Sequence, residues 1–355
     1  EFVPVFLLAL YAGHVIDKSD KRTLILRSIL LYSVCVIAMI VITSPGFQNR
    51  VHTTSPALYF YIVIFFTGAI RAFAGPSFSA IISQLVPREI LHYATNISST
   101  TWLAASITGH ASAGFFIAGF GVHITFYIIL VYVLLSAFLI SRIGKKPIVN
   151  TQKNIKAWDS VKDGLRFVLN NKIMLGAISL DLFAVLFGGA VALIPEFAEK
   201  ILMVGPIGFG WLNAAMDIGS VLVISTLTLW PMKNKQGYRL MYAVAGFGIC
   251  IVIFGFSRLY WLSFMALMIA GMMDGISVIV RGTVLQLTTP DDKRGRVSSV
   301  NSMFINSSNE LGQFESGFMA RALGTVPSVI FGGAMTLLVV IITWFKAPEL
   351  RKFEY

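Results

Sequence analysis

Long apolar runs alternate with short polar interruptions from one end of the chain to the other. VPVFLLALYAG gives way to GHVIDKSDKR, in which five of ten residues are charged, and then TLILRSILLYSVCVIAMIVI follows. A helix needs about 20 mostly apolar residues to cross a bilayer. Runs of that order recur over residues 2–16, 24–43, 57–86, 92–119, 123–141, 173–195, 208–230, 239–256, 259–288, 297–320 and 325–345, which predicts eleven membrane-spanning helices. A membrane β-barrel would instead show segments of about ten alternating residues. The first run is short and does not begin with Met, so a further span is expected upstream.

Composition agrees with an all-α polytopic membrane protein. The chain is 56% hydrophobic and 13% charged, against about 25% charged in a soluble domain, and its mean hydropathy is +0.77. Taking the Asp17 loop as one side of the membrane, that side collects 22 Lys and Arg and the other only 4 (Arg50, Lys200, Arg258 and Arg321), with Arg71 and Arg281 inside spans. Positive charge marks the cytoplasm. The net charge of +11 therefore reports topology rather than a nucleic-acid partner, and the C-terminus is expected on the cytoplasmic side. Cys35 and Cys250 each sit inside an apolar run and suggest neither a disulfide framework nor a metal site. No Walker phosphate loop, nucleophile–base pair or metal-ligand spacing stands out, so neither enzymatic activity nor a cofactor is expected.

The spans divide around RIGKKPIVNTQKNIKAWDSVKDGLRFVLNNK, residues 142–172. Trp158, Val161, Leu165 and Val168 fall there at helical spacing, reading as a short amphipathic helix on the membrane surface or a solvated linker helix. The expected organisation is an N-terminal half over 1–142, a cytoplasmic linker over 143–171 and a C-terminal half over 172–355. The halves echo each other: Arg22 matches Arg239, Gln84 matches Gln286, and Asn96 matches Asn301. Internal repeats of this kind mark many secondary transporters, whose site lies near the bilayer midplane where the repeats meet.

Three motifs carry a family resemblance. Gly13-x-x-x-Asp17-Lys18-x-x-Lys21-Arg22 resembles the cytoplasmic signature of the major facilitator superfamily, with Asp20 where Gly is usual. Arg71-Ala-Phe-Ala-Gly75 resembles that family's Arg-x-x-x-Gly signature. Residues 272–317, above all PDDKRGRVSSVNSMFINSSNELG, are similar to the branch of bacterial efflux proteins that includes an enterobactin exporter. The resemblance implies two pseudo-symmetric six-helix halves, of which eleven of twelve helices are present and the first is missing. It also implies that Asp17 is a latch. Its carboxylate would dock near the helix beginning about Val297, beside Arg294 and Arg296, where a helix N-terminus favours negative charge. Gly13, Lys21 and Arg22 belong to that latch, and Asp217 is its candidate counterpart in the second half. Gly109-His110-Ala-Ser-Ala-Gly114 resembles a degraded antiporter signature in which His110 replaces Pro.

Ionisable groups inside spans cost about 2.5–3.5 kcal/mol at a helix centre on insertion scales and tend to be functional. Here they are Arg71, His110, Asp181, Asp217, Asp274, Arg281, Glu310 and Glu315. Asp274 and Arg281 lie two turns apart on one face, about 10 Å along the axis, and are spaced to bracket a third group such as Glu310. Either they staple neighbouring helices or one carboxylate carries a coupling proton. Ser302, Asn306, Asn309, Gln313 and Ser316 form one polar stripe, either facing a cavity or bonding between helices.

The expected function is export of a small organic molecule, a siderophore or drug-like compound, by proton-coupled alternating access. The expected protein is a monomer in a bacterial cytoplasmic membrane, with the substrate, protons and the lipid bilayer as its partners. Uptake or lipid transport by the same fold, and a non-transporting sensor or scaffold, remain as alternatives.

Overall fold

The computed structural model describes residues 2–50, 56–87, 90–144, 157–230, 232, 234–290 and 293–354. In chain order the helices are α1 (Phe2–Lys18), α2 (Lys21–Thr43), α3 (Pro45–Arg50), α4 (Pro56–Leu85), α5 (Leu91–Ser141), α6 (Ala157–Asn170) and α7 (Lys172–Phe187). A 3-10 turn (Ala190–Leu193) then leads to α8 (Ile194–Lys200), α9 (Gly205–Leu229), α10 (Gln236–Phe256), α11 (Tyr260–Thr288), α12 (Arg294–Leu323), α13 (Thr325–Lys346) and α14 (Pro348–Arg351). Among the described residues eight helical segments are long and apolar enough to cross a membrane. Of the other predicted spans, α1 has 17 residues and α12 is long but polar, while α5 is bent within its length.

The 51 residues of α5 would extend about 76 Å if straight, far beyond a hydrocarbon core of about 30 Å. The break falls at Gly121, whose φ of 75° and ψ of 167° are not helical. Only glycine adopts that conformation without strain.

Two compact units divide the chain: residues 1–102 with 116–154, and residues 103–115 with 155–355. In the first, α1 and α2 pack on α4. The charged turn at 17–22 resolves there into caps. Asp20 is the N-cap of α2, accepting from the Thr23 N–H at 3.2 Å and the Thr23 hydroxyl at 2.5 Å. Lys21 is buried and donates to the Ile16 and Ser19 carbonyls at the end of α1. Arg22 donates to the Ser141 carbonyl at the end of α5. A cation at a helix C-terminus meets the partial negative charge of the orphan carbonyls.

In the second unit α11 packs against α9 and α10, α10 against α13, and α12 against α7 and α6. Phe197, Leu212, Ile251, Phe254 and Leu267 form one apolar cluster; Leu180, Leu240, Met241, Val280 and Leu350 form another. The span predicted over 173–195 is interrupted. α7 stops at Phe187, Gly188 caps it, and the chain resumes as the 3-10 turn and α8. The apolar stripe of α6 covers protein: Val168 is buried with Met174, Ile178, Leu285, Val297 and Val300.

Candidate functional site

Small residues place the polar groups of the second unit. Gly271-Met-Met-Asp274-Gly275 on α11 is a Gly-x-x-x-Gly pattern, the arrangement that lets membrane helices approach closely. A Cβ at Gly271 would run into the Met216 carbonyl of α9, and one at Gly219 into the Met268 carbonyl of α11. Ser220 seals the crossing by donating to the Gly271 carbonyl at 2.9 Å. Asp274 is the middle residue of α11 and Asp217 that of α9, so this contact fixes two mid-span carboxylates.

A second close approach joins residues 103–115 of α5 to α9. A Cβ at Gly114 would stand 2.5 Å from the Pro206 carbonyl, and one at Gly210 would stand 2.7 Å from the His110 carbonyl. Further along the same contact Asp217 meets two groups from α5. His110 Nδ1 lies 2.9 Å from Asp217 Oδ2, and the Ser106 hydroxyl donates to that oxygen at 2.6 Å. The side chains are 47% exposed for His110 and 26% for Asp217, so the pair is open to its surroundings.

The other cluster is closed. Arg281 of α11 forms an ion pair with Asp181 of α7, and the side chains are 12% and 8% exposed. Arg281 Nε also donates to the Ser277 hydroxyl at 3.1 Å and the Ser277 carbonyl at 3.3 Å. Asp274 lies within electrostatic reach of both Asp181 and Arg281. Asp274 is half-buried two turns before Arg281 on the same helix.

The remaining sequence candidates are dispersed. Arg71 is exposed on α4 of the first unit. On α12, Ser302, Asn306, Asn309 and Gln313 are exposed and on one face, while Ser316 is buried and its carbonyl accepts from Ser328 at 3.2 Å. Asn309 turns back to the Ile305 carbonyl at 2.9 Å. Glu315 is half-buried, with Oε1 enclosed and lacking a hydrogen-bond partner among the described residues. Glu310 is likewise half-buried. The side chain of Asp17 lies outside the described residues, so the latch geometry does too. Arg296, expected beside Asp17, is ion-paired with Asp163 of α6, where a Cβ at Gly164 would stand 2.8 Å from the Arg296 carbonyl.

Sequence reasoning named Asp217 and His110 separately and did not join them. It overlooked Ser106, because a lone serine in an apolar helix is ordinary. It also overlooked Asp163, which lies in the linker. Among the described residues no group of three or more His, Cys, Asp or Glu side chains is placed to hold a metal ion.

Comparison with known proteins is consistent with this architecture. The family model described as Major Facilitator Superfamily matches residues 2–313. A Bacillus subtilis (strain 168) protein described as an uncharacterized MFS-type transporter, YfiS, is 24% identical over 99% of this chain and 84% of its own length. The putative bacilysin exporter BacE of the same organism is 23% identical over 83% of this chain and 75% of its own. The enterobactin exporter EntS of Shigella flexneri is 20% identical over 99% and 82%. Among solved structures, a D-xylose–proton symporter is 15% identical, with a TM-score of 0.74 over 99% of this chain and 87% of that one. The nucleoside transporter NupG is 12% identical, with a TM-score of 0.70 over 99% and 88%.

Proposed function

Because the chain belongs to the major facilitator superfamily, we propose that it exports a small organic molecule of siderophore or drug-like kind, driven by protons through alternating access. The relatives named as exporters of bacilysin and enterobactin support the outward direction. The preponderance of Lys and Arg on one side of the membrane, 22 against 4, supports a cytoplasmic C-terminus in a bacterial cytoplasmic membrane. The protein works as a monomer, and Asp17 with Lys21 and Arg22 latches its cytoplasmic side.

One observation carries the proton-driven part. Arg281 is ion-paired with Asp181, while Asp274, two turns before it on α11, adds a second carboxylate to the same span. A surplus negative charge within a span is costly, and a proton removes it without breaking the Arg281–Asp181 pair. Asp274 is therefore the coupling carboxylate, Asp181 and Arg281 its fixed partners. Exposed amides on a membrane helix need water or polar ligand, because unsatisfied groups in hydrocarbon are expensive. Asn306, Asn309 and Gln313 accordingly line the aqueous path, with Arg71 on α4 as a further polar contact and Glu310, Glu315 and His110 along it.

The test begins with metabolites. Culture media of the parent bacterium and of a strain lacking this protein, grown with and without iron, are compared by mass spectrometry. A compound lost from the medium and accumulated in the cells names the cargo. Matching profiles under both conditions overturn siderophore export. With the cargo in hand, inverted membrane vesicles carrying Asp274→Asn are expected to lose gradient-driven accumulation while the protein stays folded. Unchanged accumulation removes Asp274 from the coupling role.

A further inference from the structure

A groove of about 620 Å³ runs along the outer face of α7 and α13. One wall carries Phe183 and Phe187 of α7, the other Met335, Leu338 and Ile342 of α13. One end is polar, formed by Lys172, Lys346 and Glu349. From Met335 to Lys346 the α13 wall rises about 16 Å, close to the depth of one leaflet of a hydrocarbon core about 30 Å thick.

The charge at the mouth is uneven. Glu349 is engaged by Lys172 at 3.0 Å. Lys346, at the end of α13, has no acidic partner among the described residues and is exposed. The rim therefore holds two cations and one anion, with one cation uncompensated. We propose that this groove is a binding site for one anionic phospholipid of the cytoplasmic leaflet. An acyl chain lies between the Phe183–Phe187 and Leu338–Ile342 walls, and the phosphodiester meets Lys346. A zwitterionic lipid brings its own cation to the phosphate and leaves Lys346 less well matched, since Glu349 is already engaged. The site lies within the second unit; its leaflet rests on the proposed topology, and its lipid binding does not depend on the transported cargo.

The test is native mass spectrometry of the full chain titrated with phosphatidylglycerol, phosphatidylethanolamine and phosphatidylcholine of identical acyl chains. The expected result is one tightly retained phosphatidylglycerol, preferred over phosphatidylcholine by about fivefold, the contribution of a single Lys at a membrane surface. Lys346→Gln removes that preference. Glu349→Gln, which takes away the acid, raises it. Ser179→Phe, placed in the groove lining, lowers retention of every lipid provided its thermal unfolding matches the parent; if it does not fold, the two charge variants decide. Equal retention of the three lipids overturns the proposal. So does a phosphatidylglycerol preference that survives Lys346→Gln, or undiminished retention in folded Ser179→Phe.

Discussion

The two polar clusters of the second unit differ in how their charge is closed. At α7 and α11, Asp181 and Arg281 are buried against each other and Asp274 is added as a surplus acid. At α5 and α9, His110, Ser106 and Asp217 form a hydrogen-bonded group that stays half open. The first must keep its partners to remain in the membrane at all. In the second, the partners stay accessible to their surroundings. Burial thus turns similar residue types into a fixed anchor in one place and an adjustable contact in the other.

The sharpest way to break this contrast is to remove the anchor's cation. Arg281→Met leaves the buried Asp181 carboxylate without its partner, and loss of about 3–5 kcal/mol is expected, read as early thermal unfolding in detergent. Asp181→Asn should cost less, because Asp274 remains to balance Arg281. If the two variants unfold alike, the surplus-acid account fails. Next in size is Gly271→Val, which forces α9 away from α11 at the contact that holds both Asp217 and Asp274 in place. Overpacking of this kind costs about 1–3 kcal/mol, and the same measurement applies.

Smaller effects belong to the open cluster. Asp217→Ala strands His110 and Ser106, at a cost of about 1–2 kcal/mol, whereas Asp217→Asn keeps an acceptor and stays near the parent. His110→Ala should leave proton-driven export in place, because the Ser106 hydroxyl still donates to Asp217, and vesicle transport should stay near the parent's. Were His110→Ala to abolish coupling and Asp274→Asn to spare it, the roles of the clusters would be exchanged. The smallest change is expected at Asp163–Arg296, where both side chains are about a third exposed (38% and 34%). Asp163→Asn should cost about 0–1 kcal/mol, as exposed pairs do.

Periodicity was enough to locate the long apolar helices, because the bilayer sets their length, and eight helical segments among the described residues are long and apolar enough to cross. Even the turn within α5 was legible, as Gly121 falls between the runs 92–119 and 123–141. The interruption of α7 was not. Gly188 and Gly189 hint at it, but glycine is common in membrane helices. Here the cause is tertiary: a Cβ at Gly189 would stand 2.7 Å from the Gly312 carbonyl of α12. The candidate side chains could be named from their cost in hydrocarbon, but their pairing could not. Asp181 and Arg281 are 100 positions apart, and only the packing of α7 and α11 brings them together. Asp20 shows the reverse. A departure from the family's usual glycine is explained by one local fact, its capping of α2.

The tie between His110 and Asp217 also has a history in time. They lie 107 residues apart, and a ribosome adds about 5–20 residues per second. Residues 103–115 therefore reach the membrane roughly 5–20 s before the helix that will receive them. Through that interval Gly114 has no Pro206 to meet, and His110 and Ser106 have no carboxylate. The newborn first half must be held, by its own neighbours or by the insertion machinery, until α9 is made.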